Sequence, residues 1–335
     1  MTRKKIIAFV LLIFLFSGIQ LSGGRSAPRA FGDPPSFEEY IRNFSVDELW
    51  QFFLEYSDSR IKAEILIAMG KRGKGNIDVT TKIFNYLIEM NSLFRRGARA
   101  DYLVVSASIA AMIELNDSVF YSVLFDIMRS GYPEVITSEA RGALDLINGD
   151  LARFLYQVID ESSPLEKNIA LKAALSSEWL SASQRGQLAL LALEKALSQN
   201  YDNADLTEMR YAAVLELSSL GWTNAASRAI SHYYRVSEDY RGNAALKNRF
   251  IEAIGCLGSV GDSRAAVALG LRLALINERT RTTGDFDADI TMAIIQALGN
   301  IGASNVFDHL RNVENLSYPD YIKIAATEAI DRLKW

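Results

Sequence analysis

The sequence predicts an all-α protein, an α-α superhelix (solenoid) of about eight helix-turn-helix repeats. Three observations predict it. From Ser45 onward, amphipathic stretches alternate with short turns, and no strand-length stretch alternates β-branched with polar residues. A short segment, best preserved at residues 297–302, recurs in degraded form along the chain. The prolines that follow residue 36 all fall at one position of the repeat.

The composition sets the class of protein. The chain has 335 residues, of which 49% are hydrophobic and 23% charged, so it can bury a large core and is not a disordered protein. A single cysteine excludes an intramolecular disulfide, and two histidines with one cysteine leave few ligands for zinc. The net charge is −4, and because residues 1–24 hold three basic residues and no acidic one, it becomes −7 without them. An acidic chain argues against a nucleic-acid partner, since that affinity depends on Lys and Arg.

The N-terminal residues have the order of a secretory signal. Arg3, Lys4 and Lys5 precede an apolar run at residues 6–16, and small and polar residues follow it. Eleven apolar residues fall short of the roughly 20 that span a bilayer as a helix. We therefore expect residues 1–24 to be a signal peptide and the protein to be exported, to the periplasm of a bacterium. Secretion, or an inner-membrane anchor if the segment stays uncleaved, is the alternative, and this segment is the only membrane contact expected.

The rest of the chain divides in two. Residues 25–44 are expected to form a proline-rich linker and a short capping helix, and residues 45–335 the repeats. Each repeat is marked by an anchor, the residue before the Met, Leu or Ile of the recurring segment. The anchors are Ala68, Ala111, Ala143, Ala174, Glu216, Cys256, Ala297 and Ala329. The position three residues before the anchor is apolar in seven of the eight repeats, which predicts that each anchor lies on a helix with a buried face.

The prolines independently indicate where the second helix of a repeat begins. Pro133, Pro164 and Pro319 each lie ten residues before an anchor, which predicts that they open the second helix of their repeats, where proline loses no hydrogen bond. The first helices are then expected to begin near Ser45, Asn76, Asn116, Gly149, Ala182, Thr223, Ser263 and Ser304.

The repeat resembles that of the HEAT-repeat family, over roughly residues 45–335. The resemblance rests on Ala293, Ala297–Gly299, Ile301–Gly302, the prolines at 133, 164 and 319, and an anchor spacing of 31 to 43 residues. Armadillo-type and tetratricopeptide-type packing are the alternatives, although the latter has a strict period of about 34 residues. The resemblance implies a protein-binding α-solenoid. It also implies a weaker alternative, because some bacterial HEAT-like proteins are subunits of lyases that act on tetrapyrrole-bearing proteins. The export signal argues against that role.

Two surfaces are candidates for partner binding. Long turns inside repeats are expected at residues 91–99, 199–205, 237–243 and 278–289, all on one edge, and such insertions often mark the binding side of a solenoid. The favoured interpretation is that these turns are solvated and mobile, and partner binding is the alternative. The expected partner-binding residues are Asp202, Asp205, Glu238, Asp239, Arg241, Arg279, Arg281, Asp285 and Asp287.

The second candidate surface is the row of residues directly before the anchors. The row is Ile67, Ala110, Gly142, Ala173, Leu215, Gly255, Gln296 and Glu328, and six of these eight residues are small or apolar. Such a row could line a groove for an apolar helix or an extended peptide. The favoured interpretation is that neighbouring helices bury it.

The residues that could carry chemistry are few. Asp285, Asp287 and Asp289 alternate as in a calcium loop, but the loop's glycine and final glutamate are missing, so we expect a turn whose last aspartate caps the next helix. Cys256 is expected to be buried, and neither His232 nor His309 has a partner placed for catalysis. We expect no catalytic residue, metal or cofactor.

The function that the sequence favours is that of an exported, non-enzymatic scaffold for protein-protein interaction. Its partner would be another protein. An envelope structural or tethering component is the alternative, followed by the lyase-type subunit named above.

Overall fold

The computed structural model describes residues 37–198 and 203–335. Within them the chain is all-helical, as predicted, and its one β-type feature is an isolated bridge between Ala303 and Lys334. The helical turns Phe37–Tyr40 and Ile41–Asn43 belong to one unit and Phe44–Trp335 to another. The predicted signal peptide, residues 1–24, and the linker up to residue 36 lie outside the described residues.

Among its described residues, the second unit holds sixteen α-helices. They are α1 Val46–Glu55, α2 Ser59–Arg72, α3 Ile77–Arg95, α4 Tyr102–Leu115, α5 Phe120–Arg129, α6 Glu134–Leu146, α7 Leu151–Glu161, α8 Pro164–Ser176, α9 Ala182–Ser198, α10 Ala204–Ser219, α11 Ala226–Gly242, α12 Lys247–Val260, α13 Ser263–Thr283, α14 Ala288–Ile301, α15 Phe307–Glu314 and α16 Asp320–Asp331. Each odd-numbered helix and the even-numbered helix after it form one of the eight helix pairs that the sequence predicts.

The helices pack against their neighbours along the chain. Each odd helix packs on the even helix that follows it, and most helices of the same parity in consecutive pairs also pack closely. Helices α1 and α3 meet through the rings of Phe53 and Tyr86, and α5 and α7 through those of Tyr121 and Phe154, with 4.8 and 5.5 Å between centroids. Among the described residues, every extensive contact joins helices no more than three apart in sequence. The core is therefore a series of local interfaces, each made by adjacent pairs.

The starts of the first helices follow the sequence closely. The helices predicted at Ser45, Asn76, Ala182 and Ser263 begin there or one residue later. Ser45 caps α1 in a capping box: its hydroxyl accepts from the Glu48 amide at 3.2 Å, and its own amide donates to the Glu48 carboxylate at 2.6 Å.

The third and fourth first helices begin later than predicted, and both differences come from caps. Asn116 was expected to open α5, but it ends α4 in the left-handed region at φ 57°, and α5 begins at Phe120. Gly149 has φ 155°, and Asp150 is the N-cap of α7, which begins at Leu151.

The prediction for the prolines is confirmed. Pro164 is the first residue of α8, while Pro133 and Pro319 are the N-caps of α6 and α16. Proline at these positions leaves the intrahelical hydrogen bonds intact.

The even helices bury the stripe that the anchors predict. All eight anchors lie on even helices. The residue three positions before the anchor is fully buried in every pair, at Ile65, Ser108, Ala140, Leu171, Ala213, Ala253, Ile294 and Ala326. Ser108 is the one polar member, and its hydroxyl donates to the Val104 carbonyl at 2.8 Å, which removes the cost of burying it.

The size of the residue two positions after the anchor affects how closely the backbones of consecutive even helices approach. It is glycine at Gly70, Gly258 and Gly299, and the three interfaces that follow these glycines are the closest between consecutive even helices. After α6 the residue is Asp145, and the backbones of α6 and α8 stay farther apart. The half-buried Asp145 carboxylate bridges this gap by accepting from the Ser177 hydroxyl and the Glu178 amide, and burial raises its pKa.

Candidate functional site

The edge predicted to carry long turns is built mainly from helix ends. Helix α3 continues to Arg95, α11 to Gly242 and α13 to Thr283, so the prediction of long turns at 91–99, 237–243 and 278–289 is wrong for most of their residues. Residues 278–283 contain no glycine or proline, and α13 continues until Gly284 caps it at φ 73°. The segments that remain between helices are short.

The predicted partner-binding residues are spread over this edge. Glu238, Asp239 and Arg241 lie in the last turns of α11, Arg279 and Arg281 on α13, Asp205 in the first turn of α10, and Asp285 and Asp287 between α13 and α14, while Asp202 lies outside the described residues.

The structure brings these charges together in separate pairs. Arg279 forms an ion pair with Asp285, and Arg281 pairs with Glu278 at 2.6 Å. The buried Arg210 of α10 lies 3.5 Å from Asp239. Each pair is local to one helix end or to one pair of adjacent helices. Among the described residues, the predicted charges therefore form several small, local ion pairs along the edge.

The alternating aspartates form a helix cap. Asp287 is the N-cap of α14 and accepts from the amides of Asp289 and Ile290 at 3.1 and 3.2 Å, so the cap is the middle aspartate and the prediction of the last one is wrong. Lys247 of α12 pairs with Asp287 at 2.9 Å and with Asp289 at 2.6 Å, and these hydrogen bonds raise the pKa of its amine. Among the described residues, no group of three or more Asp, Glu, His or Cys side chains is placed to hold a metal ion.

The row of residues before the anchors is exposed. Of its eight members only Ala173 is buried, so the expectation that neighbouring helices cover the row is wrong. Gly142, Leu215, Gly255, Gln296 and Glu328 are exposed, and Ile67 and Ala110 are half-buried. An ideal Cβ added at Gly142 or Gly255 would meet no atom within 4 Å, so the space above these glycines is open. We refer to this exposed row as the even-helix face.

A small cleft lies at the C-terminal end of the even-helix face. Its volume is about 220 Å³, and it is lined by Gln296, Asn300, Ala325, Glu328, Ala329 and Arg332. Arg332 donates to the Asn300 side-chain carbonyl at 3.5 Å across it. Gln296 and Glu328 belong to the row that the sequence predicts, whereas Asn300 and Arg332, which lie one turn further along α14 and just after α16, were not predicted.

Two groups with potential chemistry are buried. The side chain of Cys256 is almost fully buried, as predicted, and burial raises the pKa of its thiol to about 12. His232 is only 1% exposed and packs edge-on against Tyr211, with 5.4 Å between ring centroids. Burial, followed by the nearby charges of three arginines, lowers the pKa of His232 to about 3, and neither ring nitrogen has a hydrogen-bond partner. The thiol and the imidazole are both uncharged at neutral pH.

Comparison with known proteins gives no match, either to a protein-family model or to a curated protein. Among residues 37–198 and 203–335, none of the helices has the length and apolar character needed to cross a bilayer. The features on which a functional proposal can rest are therefore the even-helix face and the paired charges at the edge.

Proposed function

We propose that this protein is a non-enzymatic scaffold for protein-protein interaction, built as a HEAT-like α-solenoid and acting outside the cytoplasm. The observation that carries the proposal is the exposure of the even-helix face. It repeats one small or apolar position in most helix pairs along the unit. A partner that lies along it makes a similar contact at each step.

The chemistry of the even-helix face suits a protein partner. Leu215 is half exposed and Ile67 is partly exposed, which gives apolar contacts, while Gly142 and Gly255 let another backbone approach closely. Gln296 and Glu328 add polar groups at the C-terminal end. Apolar contacts with a few polar groups suit a helix or an extended peptide.

The state of the reactive groups supports a role without catalysis. A nucleophilic cysteine needs access and a lowered pKa, and Cys256 has neither. A general base needs an accessible nitrogen that gains a proton near neutral pH, and His232 is buried with a strongly lowered pKa.

Export rests on the N-terminal sequence, with its basic residues, apolar run and small residues. Fractionation of cells that produce the full chain with a C-terminal tag tests it. We expect a shortened chain in the soluble exported fraction. A full-length chain that stays with membranes after a high-salt wash would favour the tethering role.

Site-specific photo-crosslinking tests the binding face. A photoreactive residue is placed at Gly142 or Gly255 on the even-helix face and, as a matched control, at the exposed Ser122 of the odd helix α5. The same photoreactive residue at Arg241 or Arg281 tests the edge that the sequence predicts to bind the partner. We expect one partner protein to be captured from Gly142 and Gly255 and not from Ser122. Capture from Arg241 and Arg281 alone would move the binding site to the edge, and capture from none of the positions would contradict the scaffold.

A further inference from the structure

Helix α13 carries an exposed aliphatic stripe. Val267, Leu271 and Leu275 are 46%, 57% and 65% exposed, respectively. They lie four residues apart in the longest helix of the unit. Three large aliphatic side chains in a row on a solvent-facing helix mark an uncovered surface.

Helical geometry places two charged residues on the same line. With 3.6 residues per turn, Val267 and Leu275 lie within about 40° of the direction of Leu271. Arg264 and Glu278 are seven residues before and after Leu271, which puts each within about 20° of it. Both charged side chains are more than half exposed.

The stripe is symmetric about Leu271. Four residues away on either side stand the exposed Val267 and Leu275. Seven residues before and after Leu271 stand residues of opposite charge, Arg264 and Glu278. An antiparallel copy of the helix would therefore place aliphatic against aliphatic and each arginine against a glutamate.

We propose that a second copy of this chain docks on α13 in the antiparallel direction, with the two Leu271 side chains meeting on the twofold axis. A shallow crossing of about 20° keeps the stripes together along their length and lets the long side chains of Arg264 and Glu278 reach each other at both ends. This association goes beyond the proposed scaffold role and uses an odd helix, so it leaves the even-helix face open.

Charge complementarity favours a second copy over an unrelated partner. Arg264 pairs with Asp262 and Glu278 with Arg281, both at 2.6 Å within the chain, and all four side chains stay exposed, so exchange to a partner buries no lone charge. The adjacent helices α11 and α15 expose the polar residues Ser231, Glu238, Asp308 and Arg311, which suit the rim of an interface. One pair of helices buries a small area, so the dimer is weak and reversible.

Cysteine crosslinking of the full chain tests the proposal. The native Cys256 is buried, so an introduced cysteine is the only accessible thiol among the described residues. Under mild oxidation, Leu271→Cys is expected to give a disulfide-linked dimer, because the two copies of the residue meet on the axis. Ile324→Cys on α16 is the matched control, since Ile324 is 58% exposed, and it should give no dimer.

The antiparallel register has its own test. Differently tagged chains carrying Val267→Cys and Leu275→Cys are mixed before oxidation. Crosslinks between the two variants should exceed those between identical chains several-fold. Equal yields, or an excess between identical chains, would overturn the antiparallel register.

Charge reversal tests the ends of the stripe. Added to Leu271→Cys, Arg264→Glu should lower the crosslinked fraction several-fold, and Arg264→Glu with Glu278→Arg should restore it to within about twofold. Thermal melting confirms that these exposed substitutions leave the fold intact. The absence of a Leu271→Cys dimer, a yield equal to that of Ile324→Cys, or a dimer that ignores charge reversal would each overturn the proposal.

Discussion

Gly258 of α12 lies directly against Ala297 of α14, so that an ideal Cβ on Gly258 would stand 2.9 Å from the Ala297 Cα. The same relationship recurs between Gly70 and Ala111 at 2.7 Å and between Gly299 and Ala329 at 3.0 Å. In each case the glycine two residues after one anchor meets the anchor of the next pair. The glycine of the recurring segment therefore lets the backbones of consecutive even helices come into contact.

Replacing Gly258 by alanine should destabilise the protein. The added methyl group has no room against Ala297, and forcing extra volume into a packed interface costs about 1 to 3 kcal/mol. Chemical denaturation measures the change.

Gly255→Ala is the matched control on the same helix. It faces open space and exchanges glycine for a better helix former, so it should be neutral or stabilise the protein by up to about 1 kcal/mol. Equal effects of the two substitutions would show that α12 and α14 are not in close backbone contact.

Tyr318 should matter through its hydroxyl group. It donates to the Asn277 side-chain carbonyl at 2.9 Å inside the core, and the Asn277 amide donates to the His309 carbonyl at 3.0 Å. Tyr318→Phe leaves the buried Asn277 oxygen without this donor, which costs about 1 to 3 kcal/mol in the free energy of unfolding.

The equivalent pair between the second and third repeats gives a graded comparison. Tyr132 donates to the Asn91 carbonyl at 3.0 Å, but the Asn91 amide nitrogen has no partner. Because that network is incomplete, Tyr132→Phe should cost less than Tyr318→Phe, as measured by thermal melting of the two variants. A larger loss at Tyr132 would contradict this ranking.

His232 should make the protein less stable in mild acid. Its folded pKa, about 3, lies below the 6.5 of an unfolded histidine, so between these values the unfolded chain binds a proton that the folded chain does not. The stability from this residue is present above the unfolded pKa of 6.5 and is progressively lost as the pH drops from there towards 3.

Replacement of the imidazole isolates this contribution. His232→Phe keeps an aromatic ring against Tyr211 and removes the titrating group. Urea unfolding of both proteins from pH 7.5 to pH 4.5 should therefore show a shallower loss of stability for the variant. Parallel curves would mean that His232 does not stay neutral in the fold.

Much of the fold was predictable because one buried stripe per helix leaves a regular pattern. The anchors placed the even helices, and the residues three positions earlier are all fully buried, even the polar Ser108. The prolines marked the start of three second helices because proline is excluded from later turns.

The candidate site was less predictable, for a physical reason. A periodic pattern shows which side of a helix is buried, but whether the opposite side is covered depends on how neighbouring helices sit, so the exposure of Leu215 and Gly255 was missed. The ends of α11 and α13 were missed because polar residues suit helix ends and turns alike. One repeated sequence feature could have indicated contacts between neighbouring repeats. A tyrosine that precedes a proline stands 41 residues after an asparagine in two places, and the structure joins Tyr132 to Asn91 and Tyr318 to Asn277 by hydrogen bonds.

The central claim, that the even-helix face binds a partner protein, is tested most directly by blocking that face. Gly142→Trp and Gly255→Trp place an indole at positions where an added Cβ meets no atom within 4 Å, and Ser122→Trp is the control on the odd helix α5. Thermal melting checks that each variant is folded. The measurement is the affinity of each variant for the partner captured by crosslinking. We expect binding to weaken at least tenfold for Gly142→Trp and Gly255→Trp and to be unchanged for Ser122→Trp. Unchanged binding by all three folded variants would contradict the account.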